Sequence, residues 1–160
     1  MKEIHTNLYI GNDSSCHANS DYAIIHACKT CHQKALRYTK SLPPTHPHYL
    51  IYKSNHHLFL NMVDMDRELM PQFTNPIMKA AIEFIDTNIN DKKVLIHCNQ
   101  GMSRSPSIGL LYLAIKGSLP TDSYRNAVSE FQKIFPNYNP GSGIASYMNR
   151  NWNDLIGMVT

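Results

Sequence analysis

A thiol and a guanidinium stand six positions apart in Cys98-Asn99-Gln100-Gly101-Met102-Ser103-Arg104, between Val94-Leu95-Ile96-His97 and a run opened by Ser105-Pro106. The first flank reads as a short β-branched strand and the second as an apolar-periodic helix, so the segment between them is a tight loop. Such a loop aims successive backbone N–H groups into one hollow, which suits an anion the size of phosphate. Asn99, Gln100, Gly101, Met102 and Ser103 would line that hollow. Gly101 permits the curvature, and Arg104 offers a planar fork for two oxygens that lysine cannot copy. Amide dipoles, a helix start and the guanidinium together favour the Cys98 thiolate over the thiol. Ser105 can donate a hydrogen bond to that sulfur and stabilise it as a leaving group. Pro106 fits the first helical turn, where its missing N–H has no intrahelical partner to lose. His97 is expected beneath the loop, bonded to its backbone and orienting Cys98 in a supporting role.

His97-Cys98 through Arg104-Ser105 resembles the HCxxGxxRS signature of cysteine-dependent protein tyrosine phosphatases, most of all their dual-specificity branch. Asn7-Leu8-Tyr9-Ile10-Gly11 resembles that branch's opening strand and turn, and Phe84-Ile85-Asp86 the helix before its phosphate loop. His26-Ala27-Cys28-Lys29, Leu60-Asn61-Met62-Val63-Asp64 and Cys98-Asn99-Gln100-Gly101 look closest to small bacterial and phage members; residues 29 to 56 depart from the animal enzymes. The resemblance implies a two-step hydrolysis: Cys98 attacks phosphorus to give a cysteinyl-phosphate while an aspartic acid protonates the departing oxygen, and water then releases phosphate. Asp64 and Asp66 are the candidates for that acid. Asp64 is preferred because it directly follows a strand; the other carboxylate would cap a helix or face water.

The implied substrate is phosphotyrosine, with phosphoserine or phosphothreonine also open, on protein, and no metal or organic cofactor is called for. Two other readings stay open. One is hydrolysis of a phosphoinositide or an RNA 5′ end, against which the uncharged Asn99, Gln100 and Met102 weigh. The other is a slow or inactive phosphate-binding module.

The remaining sequence must build a scaffold. Ile4 to Ile10 reads as one strand closed by Gly11-Asn12-Asp13; Tyr22 to Cys28, His57 to Val63 and Lys93 to His97 read as further strands. Residues 29 to 48 lose periodicity, and Pro43, Pro44 and Pro47 mark them as loop or insertion. Ile77, Ala81, Phe84, Ile85 and Ile89 predict a helix over 74 to 90. Ile108 to Ile115, Tyr124 to Phe135 and Ile144 to Ile156 predict three more, with Thr121 capping the second of these and Gly141 to Gly143 breaking the chain before the last. The expected fold is an α/β three-layer sandwich, with a central, mostly parallel sheet flanked by helices and the site at strand C-terminal ends.

Composition narrows the class. At 160 residues with 42% hydrophobic and 17% charged side chains, one domain with its own core is expected over the whole chain. The formal charge of +3 is scattered, which argues against nucleic acid, and no run is long or apolar enough for a membrane span or signal peptide. A monomer in the cytoplasm is expected. Four cysteines are too few for a disulfide scaffold. Cys28 and Cys31 form a CxxC near His26 and His17, but without a second pair at definite spacing zinc is not expected. Cys28 ends a strand that can neighbour the one bearing Cys98, from where it could trap an oxidised nucleophile. Lys29 and Arg37 can face substrate or solvent; Met62, Met65 and Met70 read as core and loop filler. Asn139 in Tyr138-Asn139-Pro140-Gly141 resembles a segment at the family's active-site floor, and a simple turn explains it as well.

Overall fold

The computed structural model describes residues 1–16 and 20–158, which leaves His17 outside the described residues. Among the described residues, six strands form one sheet: β1 (Lys2–His5), β2 (Leu8–Gly11), β3 (Ala23–His26), β4 (Ile51–Ser54), β5 (His57–Leu60) and β6 (Val94–His97), in the order β1-β2-β6-β3-β5-β4. The middle four run parallel, and β1 and β4 close the two edges antiparallel. The helices are α1 (Lys29–Leu36), α2 (Pro71–Asn88), α3 (Arg104–Ile115), α4 (Tyr124–Ile134), α5 (Ser142–Arg150) and α6 (Trp152–Gly157). This is the expected sandwich with a mixed sheet at its centre.

All four residues of β3 and of β6 are buried, as a parallel strand covered on both faces requires. Alternation along them sorts two layers. Ala23, Ile25, Val94 and Ile96 face the main core with Leu58, Leu60, Met78, Ile82, Leu110 and Phe131. The alternate set points the other way, toward α1: Phe59 stacks on His26 at 4.4 Å, and His97 reaches Cys31 of α1. Helix α3 is buried from Arg104 to Ala114, so the arginine stands on an element that cannot shift without opening the core.

Several sequence expectations need correction. Ile4 to Ile10 is not one strand but the two arms of a hairpin, turned at Asn7, whose φ of 65° is the left-handed conformation asparagine tolerates. Residues 29 to 36 are helical; α1 presents few apolar side chains because it lies over a polar sheet face, so periodicity could not reveal it. β4 is an edge strand with a half-exposed pattern. Helix α2 starts at Pro71, pre-set for a first helical position, and so takes Pro76 into its interior, where Gln72 loses a donor. Ser123, not Thr121, caps α4, its hydroxyl accepting from Asn126 N at 3.1 Å; the Thr121 carbonyl instead accepts from the Trp152 indole at 2.9 Å. The last predicted helix breaks at Asn151 into α5 and α6. No helix among the described residues is long and apolar enough to cross a membrane.

Candidate active site

The loop from Cys98 to Ser103 leaves the C-terminal end of β6 between β2 and β3 and enters α3 at Arg104. Strand pairing fixes its start, since Ala27 N donates to the His97 carbonyl at 2.8 Å and Gly11 sits opposite His97. Gly101 turns the loop with a φ of 75°, and a Cβ there would stand 2.8 Å from the Gly11 carbonyl. Both terms act together, so Gly101→Ala should cost about 1–3 kcal/mol in chemical denaturation, with loss of phosphate binding. An unchanged midpoint would show that the loop is not locked there.

Cys98 lies at the floor, 2% exposed, with Ser105 Oγ 3.3 Å from its sulfur and within reach to donate. Arg104 is also buried, at 7% exposure. Its Nη1 donates to the Met62 carbonyl at 3.0 Å and its Nη2 to Asn99 Oδ1 at 2.6 Å, while Nε has no partner among the described residues. Asn99 in turn donates to the Asp13 carboxylate at 3.1 Å, so Asp13 and Asn99 hold the guanidinium flat against the loop. Among the described residues, the backbone N–H groups of 99 to 103 meet no protein acceptor. Free amides, an unpartnered guanidinium N–H and a sulfur share one cavity of about 330 Å³, lined by Asp64, Cys98, Asn99, Gln100, Met102, Ser103, Arg104, Asn139, Pro140 and Gly141. Unpaired donors at a buried floor are costly unless an anion takes them.

Two outer segments complete the rim. Asn139 N donates to the Met102 carbonyl at 2.8 Å and Gly141 N to Ser103 Oγ at 2.9 Å. Behind them the Tyr138 hydroxyl lies 2.7 Å from Ser107 Oγ and 2.8 Å from the Tyr124 hydroxyl. Burial pushes the Tyr138 hydroxyl well above the ordinary tyrosine range, so it stays protonated and the chain of hydroxyls holds. The Asp64 carboxylate packs on Gly141, where any side chain would collide with it. Its loop is pinned further along, with Gly143 N donating to the Met65 carbonyl at 3.0 Å and Ser142 Oγ to the Asp66 carbonyl at 3.0 Å.

The predicted residues thus divide. Cys98, Asn99, Gln100, Met102, Ser103, Arg104 and Asp64 meet at one cavity; Ser105 stands directly behind the sulfur. Gly101 lies at the back, toward Gly11, and Asp66 is exposed outside the cavity lining. His97 sits beneath the loop, fully buried, with Nδ1 3.4 Å from the Cys98 carbonyl. Cys28 is not on a strand: β3, which neighbours β6, ends at His26, and Cys28 caps the start of α1, where its thiol meets Cys31 and Thr30. Lys29 lines a neighbouring apolar cleft of about 280 Å³, together with Met62, Met65, Met70 and Phe73. Met62 is in the core, and Met65 and Met70 lie in the segment between β5 and α2, 37% and 52% exposed. Arg37 ends α1 in a left-handed cap away from the phosphate hollow. Asp13, the Met62 carbonyl and Ser142 had no sequence signal, because each acts through a contact across more than 40 positions.

Comparison with known proteins agrees with this geometry. The family described as "Dual specificity phosphatase, catalytic domain" matches residues 9–149. A dual specificity protein phosphatase YVH1 of Plasmodium falciparum is 37% identical over 108 residues, 66% of this chain and 17% of that protein, so this chain spans a small part of its relative. Among solved structures, a human tyrosine phosphatase-like serine/threonine/tyrosine-interacting protein superposes with a TM-score of 0.65 at 21% identity, covering 97% of this chain and 96% of that one. The Yvh1 phosphatase domain of Chaetomium thermophilum gives 0.59 at 18% identity, with 98% and 96% covered. At such identities these structures share the fold.

Proposed function

Because the chain belongs to the dual-specificity phosphatase catalytic-domain family, we propose that it hydrolyses phosphomonoesters on protein, phosphotyrosine foremost, through a phosphorylated Cys98. The carrying observation is the hollow itself: a buried sulfur, unpaired amides and an unpartnered guanidinium Nε, with one carboxylate across from them. Arg104 and the amides bind the phosphoryl oxygens, and charge that develops on them is met by donors already in place. The Cys98 sulfur attacks phosphorus in line as the ester P–O bond breaks, and Asp64 passes its proton to the leaving oxygen. Water then attacks the thiophosphate, Asp64 takes the water proton, and the P–S bond breaks with Ser105 donating to the sulfur. Arg104 supplies the positive charge of the lining and Asp64 its negative charge, which suits a singly phosphorylated side chain better than a polyphosphorylated headgroup. With this reading go one catalytic domain over residues 1 to 160, a monomer, a cytoplasmic location, a phosphoprotein substrate and no cofactor, nucleic acid or membrane. Turnover of p-nitrophenyl phosphate in chelator and reductant tests the activity, and its absence would contradict it.

Asp64 is the proposed acid because it shares the cavity with Cys98, whereas Asp66 offers its carbonyl to Ser142 and its side chain lies outside. Asp64→Asn should lower kcat about 100-fold and remove the pH–rate limb that reports a protonated group. Asp66→Asn should keep that limb. The reverse pattern would move the role to Asp66.

A further inference from the structure

We propose that Cys16, Cys31 and His97, with Cys28 in reach, form a binding site for a zinc-class divalent cation on the sheet face behind the phosphate loop. The ligand atoms of Cys16, Cys31 and His97 all lie within 4.8 Å of one another, and Cys31 Sγ is 3.9 Å from His97 Nε2. Tetrahedral zinc, with bonds of about 2.3 Å to sulfur and 2.0 Å to nitrogen, places its ligand atoms roughly 3.5–3.8 Å apart. Small side-chain rotations close the difference. Cys28 shares a hydrogen bond with Cys31, so a further sulfur stands beside that ligand. Two thiolates and an imidazole select zinc over magnesium or calcium, which take oxygen ligands.

The surroundings fit as well. A metal-bound histidine is normally held by its other nitrogen. Here His97 Nδ1 faces the Cys98 carbonyl at 3.4 Å and Asp13 Oδ1 at 4.0 Å. A cavity of about 300 Å³, lined by Cys16, His26, Cys31, Lys34, His57 and Phe59, gives an ion a way in. Binding releases the Cys16 and Cys31 protons to solvent and leaves two thiolates against a dication, a neutral buried unit. His97 Nε2 gives up the 2.7 Å hydrogen bond it shares with His26, and His26 keeps its 2.9 Å bond to His57. The spacing of Cys28 and Cys31 alone did not predict this site, because the other ligands come from the turn after β2 and from the end of β6. A bound ion would therefore tie together three segments that are distant in sequence. The inference does not rest on phosphatase activity.

The test uses the reduced full chain carrying Cys98→Ser, so that the loop thiol cannot hold metal. Titration with Co²⁺ should give tetrahedral visible bands and a thiolate charge-transfer band at one equivalent, displaced by Zn²⁺, and one equivalent of Zn²⁺ should raise Tm. Adding Cys31→Ser or, separately, Cys16→Ser should weaken Co²⁺ binding at least tenfold and remove the Tm rise, with far-UV circular dichroism unchanged. Bands absent from the Cys98→Ser protein, or retained in both double variants, would overturn the proposal. Two independent ligand removals keep the answer clear if one variant folds poorly.

Discussion

Cys98→Ser is expected to reduce p-nitrophenyl phosphate turnover by on the order of 10,000-fold or more, with phosphopeptide binding retained. The change replaces one atom on a buried floor, so packing around it is nearly conserved. The hydroxyl has no general base beside it: its near neighbours are Ser105 Oγ, itself a donor, and the Arg104 guanidinium, a cation. A serine hydroxyl is a far weaker nucleophile than a cysteine sulfur. Isothermal titration with a phosphotyrosine peptide against steady-state kinetics separates the two effects. Loss of binding together with turnover would place Cys98 in a structural role, and unchanged turnover would remove it from the reaction.

Arg104→Lys is expected to lower kcat about 100- to 1,000-fold, although the charge is kept. The guanidinium has three roles at once: Nη1 donates to the Met62 carbonyl, Nη2 donates to Asn99, and Nε is left without a partner among the described residues. A lysine ammonium is a point charge and cannot span all three. The Met62 carbonyl lies two residues before Asp64, so the same side chain joins the phosphate hollow to the acid's segment. Losing that tether should disturb proton delivery as well as oxyanion binding. The effect should therefore fall on kcat more than on KM for a substrate whose leaving group needs a proton, and less for p-nitrophenyl phosphate, whose leaving group does not. Equal losses for both substrates would show that Arg104 only binds phosphate.

The form of the loop was legible because it is local. A strand, a glycine-bearing loop and a helix start lie consecutive in the chain, and their geometry follows from residues 94 to 106 alone. Strands β3, β5 and β6 were legible for a related reason, since burial leaves an apolar run. What stayed hidden acts across the sheet. Helix α1 covers the face that carries His26, His57 and His97, and its own polar sequence, Lys29-Thr30-Cys31-His32-Gln33, matches that face instead of showing an apolar stripe. The first hairpin was missed because Thr6-Asn7 lacks a glycine and turns on asparagine's left-handed conformation. The choice between Asp64 and Asp66 could not be made from spacing. It depends on the segment around Gly141 and Gly143, more than 70 positions on, which presses the loop so that Asp64 faces the hollow and Asp66 does not.

Rapid acid quenching of the enzyme during turnover, followed by peptide mapping, addresses the central claim most directly. The peptide containing Cys98 should carry one phosphoryl group on sulfur, at a level that rises when Asp64→Asn slows hydrolysis of the intermediate, for p-nitrophenyl phosphate as substrate. Phosphate found on another residue, or turnover with no phosphorylated Cys98 at any time, would contradict the account.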